Sequence, residues 1–144
     1  MTLIPMPITL QRIADALDVL PVAIRAVRTL ERETGVFESL TSLETWARSH
    51  RRAIWAAPRV VRASRDALWL LGKRERSCLP RSCTVFALLS AMGENPVIVT
   101  GVTRIQGKLD GHAWVELNAQ PIPGSGDEQS PQRFVGNLRY PQRS

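Results

Sequence analysis

The chain of 144 residues is 44% hydrophobic and 22% charged, which is the size and composition of one globular domain. Its longest apolar stretch is broken by Gly93 and Pro96, which excludes a membrane span, and its first ten residues lack the arginine or lysine of a secretory signal. Two cysteines and two histidines match no zinc-binding spacing. These features predict a cytoplasmic protein that needs no metal or cofactor.

Positive charge is concentrated in one part of the chain. The formal net charge is +6, and residues 48–76 alone carry nine arginines or lysines against two acids. This segment, which we call the basic band, can attract an acidic peptide, an anionic lipid or nucleic acid. Such a segment is, however, more often a solvated helix face.

The N-terminal third of the chain is predicted to be helical. Pro21 is expected to interrupt a first helix, and a second helix is expected over 22–33 with Gly35 as its stop. The pair resembles a helix-turn-helix, but residues 1–47 are net acidic, which is unlike a DNA-reading segment. We therefore predict no nucleic-acid partner. The apolar stripe predicted to face the core in the first helix consists of Leu10, Ile13, Ala14 and Leu17.

Two further helices are predicted before residue 73. One starts at Thr41 or Ser42 and reaches His50, which is expected to be exposed because nothing nearby would orient its ring. The other begins at Pro58 and ends at Gly72. Arginines of this last helix lie off its apolar stripe, so they are expected to face solvent.

From residue 78 onwards the pattern becomes mixed. A helix is predicted over 79–92, a buried strand over 96–102 and an alternating strand over 112–117. A turn at 106–111 would join the two strands into an antiparallel hairpin. Beyond this hairpin the sequence allows at most a short edge strand, and the tail 129–144 is predicted to be loop. Phe134 and Tyr140 are expected to dock that tail on the core.

Cys78 stands at the mouth of the predicted helix 79–92. A thiol attacks as the thiolate, and a helix N-terminus lowers its pKa. The free N–H groups of the first turn can also form part of an oxyanion hole. Cys83 lies more than a turn into the same helix, where burial would raise its pKa and keep it inert.

His112 is the only histidine in the predicted sheet. If the sheet packs over the start of the cysteine helix, its imidazole can act as a base towards Cys78 and then as an acid for a leaving amine. Trp114 and Glu116 share its face of the strand. Trp114 can wall a substrate cleft or pack in the core, and Glu116 is expected to bind Arg81, which follows Cys78 by one turn.

Three blocks of the sequence carry a family resemblance. They are CLPRS at 78–82, VIVTGV at 97–102 and HAWVE at 112–116, and their order and spacing closely resemble those of the lasso peptide leader peptidases, which are transglutaminase-like cysteine proteases. The resemblance implies an α+β fold, with a helical N-terminal half and a papain-like core whose cysteine helix packs on a small antiparallel sheet. It divides the chain into a docking or support segment, 1–57, and a peptidase core, 58–144.

The resemblance also implies a function, which is removal of the leader from a ribosomally made lasso precursor peptide. Cys78 would be the nucleophile and His112 the base. A small leader-recognition protein would hold the precursor, and a separate lasso cyclase would then close the ring.

The third catalytic residue is where the sequence departs from the family pattern, which places an acid on the strand after the histidine strand. Counting back from a two-residue turn at 118–119, Ser125 would pair with His112, and serine is not an acid. Asp127 lies two residues further on the same face and is our choice if 124–126 bulges. The alternatives are Glu128, Asp110, or no third residue.

Two other functions fit the same residues. A transglutaminase-like acyl transferase would use the same thioester and pass the acyl group to an amine instead of water. A non-catalytic module would use the basic band to bind an acidic leader or the recognition protein.

Overall fold

The computed structural model describes residues 8–32, 35–73, 78–105, 108–126 and 135–141. Within them the chain forms four helices followed by four strands, which confirms the predicted α+β architecture. The helices are α1 (Ile8–Arg32), α2 (Val36–Arg48), α3 (Ala57–Leu70) and α4 (Cys78–Ala91), and the strands are β1 (Val97–Ile105), β2 (Lys108–Leu117), β3 (Gln120–Pro121) and β4 (Val135–Tyr140).

The first helix runs without a break through Pro21, so the predicted interruption is wrong. A proline inside a helix costs about 3 kcal/mol, because it lacks an N–H and its ring crowds the preceding turn. Pro21 lies on the exposed side of α1, and residues on both sides of it pack into the core. That packing outweighs the local cost. Because one continuous helix leaves no turn, the helix-turn-helix resemblance has no structural counterpart.

The buried face of α1 is also not the one predicted from its apolar stripe. Leu10, Ile13 and Leu17 are about half exposed. The face that packs on α3 and α4 carries mainly alanine, which lets the helices approach closely. Its fully buried apolar residues are Ala16, Val19, Ala23 and Ala26.

A charged pair is built into the same contact between α1 and α3. Asp15 is buried, and both of its carboxylate oxygens accept hydrogen bonds from Arg59, at 2.9 and 3.0 Å. The Arg59 hydrogen bonds hold the pKa of Asp15 below its usual value. Arg59 in turn lies over the ring of Trp55, at 3.9 Å from its centroid. The pair therefore ties the N-terminal helix to the rest of the core.

The second and third helices follow the prediction more closely. Helix α2 begins at Val36, with Gly35 as its N-cap, and so starts earlier than the predicted Thr41 or Ser42. His50 is exposed, as predicted, and stacks on Trp46. Helix α3 has Pro58 in its first turn, as predicted. It ends at Gly72, where Lys73 N–H bonds Leu68 C=O in a Schellman motif.

Helix α4 forms the centre of the molecule. Every residue from Ser82 to Met92 is buried, and α1, α2, α3 and β2 all pack against this helix. Gly93 ends it in the left-handed conformation, as predicted. A helix covered on all sides needs no polar face, which explains why its apolar residues show no single stripe.

The four strands form one antiparallel sheet in the order β3-β2-β1-β4. The β1–β2 hairpin is longer than predicted, because pairing continues from Val97 opposite Glu116 to Ile105 opposite Lys108. Ile98 and Val115 face the helices and join the main core. Their neighbours Val99 and Trp114 are on the other face of the sheet and are also fully buried.

The tail contains a strand that the sequence analysis predicted as loop. Strand β4 pairs with β1, with Ile98 opposite Tyr140. Tyr140 docks on the helices, as predicted, because its hydroxyl lies 3.1 Å from both Thr41 and Glu44 and its ring contacts Phe86. Phe134 lies outside the described residues.

None of the described helices is long and apolar enough to cross a membrane. The predicted division of the chain at residue 57 stays a prediction. Helices α1 and α2 precede that boundary, and both pack directly on α4, which follows it.

Candidate active site

Cys78 is the first residue of α4, as the sequence predicted. Its thiol is free and half-buried. The backbone N–H groups of a first helical turn have no partner within the helix, and they carry the positive end of the helix dipole. This position supplies N–H donors for an oxyanion.

Cys83 lies in a different environment, one and a half turns along the same helix. Its side chain is fully buried in the apolar core. Burial raises the pKa of Cys83 to about 12, with a smaller contribution from the neighbouring Cys78 thiol. The prediction that Cys83 is buried is confirmed, and the raised pKa keeps it protonated at neutral pH.

His112 lies in β2, half-buried and opposite Gly101 of β1. Pairing between β1 and β2 is regular along their whole length, so His112, Trp114 and Glu116 share one face of the strand, as predicted. Helix α4 packs against β2. The two elements are therefore neighbours. His112 is on the face of β2 that carries Trp114, opposite the face that Val115 presents to the helices, so contact between its ring and Cys78 stays a prediction.

The chain turns back after β2 in the two-residue turn that the sequence predicted. Asn118 and Ala119 both have positive φ, at 54° and 65°, which is the type I′ geometry of tight hairpins. Leu117 pairs with Gln120 as expected. Regular pairing extends one step further, to a hydrogen bond of 2.8 Å from Ile122 N–H to Val115 C=O.

Ser125 does not pair with His112, so that part of the predicted register is wrong. Its buried hydroxyl accepts a hydrogen bond from Val115 N–H at 2.9 Å and lies 3.3 Å from Val115 C=O. The reason is a turn at Gly124, whose φ of 81° brings the Ser125 side chain back onto the strand. The segment departs from strand geometry at 124–126, where the sequence analysis required a bulge.

Gly126 is where this segment comes closest to both β2 and α4. A Cβ atom at this position would be 1.8 Å from Ala113 O and 2.6 Å from Ser82 Oγ, so only glycine fits. Ser82 also donates a hydrogen bond of 2.9 Å to Ser125 C=O. The segment 122–126 thus bridges the first turns of α4 and the residue next to His112.

The predicted third residue, Asp127, lies outside the described residues, as does Glu128. Both follow Gly126 directly in sequence. Asp110, which the sequence analysis placed in a turn, is instead a residue of β2 opposite Thr103. The identity of the orienting acid therefore stays a prediction.

The predicted contact between Arg81 and Glu116 is wrong. Arg81 Nη2 donates to Gly126 C=O at 3.3 Å, whereas Glu116 forms an ion pair with Arg139 of β4. The physical reason is the sheet. Strand β4, which the sequence analysis did not predict, brings Arg139 close to Glu116, while the segment 122–126 lies beside Arg81 and accepts its hydrogen bond.

Trp114 is a core residue and not an open cleft wall. Its relative exposure is 1%, and its indole N–H donates to Glu116 at 3.3 Å. Of the two alternatives for this residue, packing is the one that the structure bears out.

Ser82 and Gly126 are site residues that sequence reasoning missed, and Ser125 was expected to pair with His112 instead of bonding Val115. Each acts through a backbone contact to a segment distant in sequence, which leaves no periodic pattern. The signal that could have found them is the run Gly124-Ser125-Gly126 after a predicted strand, because glycines at such a point mark a close backbone approach.

The described side chains contain no cluster of histidine, cysteine, aspartate or glutamate that could hold a metal ion. The arrangement suits acyl transfer through a thiol, because it offers a nucleophile at a helix N-terminus beside a strand that carries an imidazole.

Comparison with known proteins agrees with this chemistry. The family model described as transglutaminase-like superfamily matches residues 14–138. The match begins in α1 and ends in β4, so it includes Cys78, His112 and most of the N-terminal helices. No curated protein and no solved structure matches the chain.

Proposed function

The chain belongs to the transglutaminase-like superfamily, and on this premise we propose that it is a cysteine peptidase that cuts the leader from a lasso precursor peptide. The superfamily supports thiol peptidase or acyl-transfer chemistry in general. The observation that carries the proposal is the position of Cys78 as first residue of a helix that packs against the strand of His112.

The first half of the reaction forms a thioester. His112 takes the thiol proton, and the Cys78 thiolate attacks the carbonyl carbon of the scissile peptide bond. N–H groups at the start of α4 stabilise the oxyanion of the tetrahedral intermediate. The C–N bond then breaks, and the imidazolium gives its proton to the leaving amine.

The second half releases the acyl group. Water attacks the thioester carbonyl while His112 accepts a proton from it, and collapse of the intermediate expels the Cys78 thiolate. The products are one carboxylate and one amine, so the net reaction consumes one water. In this scheme Asp127 orients the imidazole. This assignment is based on sequence position, because Asp127 directly follows Gly126, the residue packed beside Ala113.

The substrate and partners follow from the resemblance of the blocks at 78–82, 97–102 and 112–116. The precursor peptide is held by a small leader-recognition protein, and its freed core N-terminus passes to a lasso cyclase. We place this reaction in the cytoplasm, where the precursor is made.

The test is cleavage of a lasso precursor, with and without its recognition protein, followed by intact mass. Wild-type protein is expected to release leader and core, while Cys78→Ala and His112→Ala each lose at least about 10³-fold in rate. Cys83→Ala is the matched control and keeps most of the activity. Full activity of the Cys78→Ala protein contradicts the proposal.

Acyl transfer to an amine is the second candidate, because the superfamily match supports it equally. Mass separates the two reactions, since hydrolysis adds one water to the products and aminolysis adds the acceptor. A non-catalytic binding module predicts no change of mass, and binding that survives the Cys78→Ala substitution.

A further inference from the structure

A basic cavity lies next to the first turn of α4, and the reaction proposed above does not use it. Its volume is about 430 Å³, within the range of small ligand sites. It lies between α1, α3 and the start of α4. Its main lining residues are Arg12, Arg62, Arg65, Trp69, Lys73 and Arg81.

The charge of this cavity is only partly neutralised. Asp66 also lines it, but both of its carboxylate oxygens are bound by Arg12, at 2.7 and 3.0 Å. Five cations and one carboxylate leave a net charge of +4. Within the described parts of the chain, Arg62, Arg65 and Lys73 form no ion pair. Clustered cations repel one another, and an anionic ligand relieves that repulsion.

Arg81 connects the cavity to the reacting thiol. It follows Cys78 by three residues, so the two side chains start about 5–6 Å apart on the same side of α4. Its Nη2 bonds Gly126 C=O, and its Nε is buried without a partner among the described residues. Of the five N–H donors of this guanidinium, one bonds Gly126 C=O and the Nε–H is enclosed, so the remaining Nη donors are the ones that can bind a ligand.

The remaining wall of the cavity is aromatic. Trp69 is 53% exposed although it is large and apolar. A tryptophan beside arginines gives a surface on which the aliphatic part of a peptide can lie while its carboxylates reach the cations. A membrane or a nucleic acid would need a broad basic face, whereas this site is a recess next to a nucleophile.

We propose that this cavity binds acidic side chains of the peptide substrate, within a few residues of the scissile bond. The inference rests on the proposed peptidase function and gives it a specificity determinant. The carboxylates of one or two aspartates or glutamates fit a site with Arg62, Arg65 and Lys73, which form no ion pair with the described residues, because charge-assisted hydrogen bonds to arginine are short and directional.

Binding is tested with the full-length Cys78→Ala protein and a fluorescent peptide that carries a run of glutamates, with its glutamine counterpart as reference. We expect the glutamate peptide to bind at least about tenfold more tightly at low salt, with an advantage that falls as salt screens the charges. The variant Arg62→Gln/Arg65→Gln is expected to lose that advantage. The control Arg28→Gln/Arg51→Gln removes the same charge from exposed positions outside the cavity and is expected to keep it.

Equal losses in the two double variants would overturn the assignment, because they would show an effect of net charge only. Tighter binding of a single-stranded oligonucleotide that displaces the peptide would also overturn it.

Specificity is then measured as the set of bonds that wild-type protein cleaves in a peptide mixture. We expect aspartate or glutamate to be enriched near the cleaved bonds. The variant Arg62→Gln/Arg65→Gln is expected to lose this enrichment. Cleavage with no preference for aspartate or glutamate near the cut bond contradicts the inference but not the proposed peptidase function. If the glutamate peptide binds specifically but no peptide is cleaved, the proposed peptidase function is contradicted and the acidic binding site stands.

Discussion

Two cysteines five residues apart show how position in one helix separates a candidate nucleophile from a packing residue. Cys78 is half-buried at the start of α4, where the N–H groups of the first turn have no partner within the helix. Cys83 is fully enclosed by apolar side chains, which stabilise its neutral thiol. The residue type is the same, and the environment decides the chemistry.

Thiol labelling measures this difference directly. At about pH 8, native protein is expected to react with a thiol reagent at one cysteine only, and peptide mapping should find the label on Cys78. Burial raises the pKa of Cys83 to about 12, so it reacts only after unfolding. Cys78→Ala is the control and should take up no label in the native state. Rapid native labelling of Cys83 would contradict the buried environment.

Gly126 is the residue whose substitution should most directly disturb the site. In Gly126→Ala the new methyl group would meet Ala113 O and Ser82 Oγ at impossible distances, so the segment 122–126 must move. We expect a loss of about 1–3 kcal/mol in the free energy of unfolding, and a large loss of cleavage.

Gly72→Ala is the control for that substitution, because Gly72 has a φ of 81°, which strains a replacement, while a Cβ atom there meets nothing within 4 Å. It should cost about 1 kcal/mol of stability and leave the cleavage rate unchanged. Equal activity of the two variants would show that the segment 122–126 does not support the site.

At the scale of elements, local signals predicted the ends of helices better than their faces. Gly72 and Gly93 end α3 and α4 as predicted, because glycine in the left-handed conformation is a local requirement. The stripe from Leu10 to Leu17 did not predict the buried face of α1. That choice depends on a partner helix, and close alanine contacts with α3 and α4 decided it.

In the sheet, too, features set by neighbouring residues were predictable, whereas features set by a distant partner strand were not, and this affected the prediction of the site. The turn at 118–119 was predictable because its register depends on two residues only. Strand β4 was not, because its pairing partner β1 lies more than thirty residues earlier and its own sequence alternates weakly. The wrong Arg81–Glu116 contact follows from that omission, since β4 supplies Arg139 to Glu116.

The Asp15–Arg59 pair predicts how the contact between α1 and α3 responds to acid. The pKa of Asp15 is lower in the folded protein than its unfolded value of 3.8. The contribution of Asp15 to the free energy of unfolding is therefore fully present above pH 3.8 and is lost as the pH falls through the folded pKa. Asp15→Asn should cost about 2 kcal/mol near pH 7, and the variant should lose less stability than wild type on going below pH 3.8. Chemical denaturation across this pH range measures both effects.

Asp18→Asn is the control for this measurement. Asp18 lies in the same helix and pairs with Arg52, but its side chain is 58% exposed. A carboxylate that stays solvated contributes little, so a change below about 0.5 kcal/mol is expected. A cost for Asp15→Asn no larger than this would mean that the pair of Asp15 and Arg59 does not hold α1 in place.

At the scale of the whole molecule, the candidate site depends on elements from both halves of the chain. Helix α4 carries Cys78 at one end, and its burial requires α1 and α2 on the sides away from the sheet. The basic cavity likewise takes residues from α1, α3 and α4. The superfamily match from 14 to 138 covers the same set of elements. The N-terminal helices therefore enclose the helix that carries Cys78.

The predicted division at residue 57 can be tested by cutting the chain there. A fragment of residues 58–144 would expose the buried apolar side of α4 and lose Leu40, Leu43 and the alanines of α1 from the core. A large-to-small core change alone costs about 2–5 kcal/mol, which is comparable to the whole stability of a small domain. We therefore expect the fragment to show no cooperative thermal transition by circular dichroism, and a 1–57 peptide added in trans to restore structure. A fragment that unfolds cooperatively and cleaves the precursor alone would establish 58–144 as an independent domain.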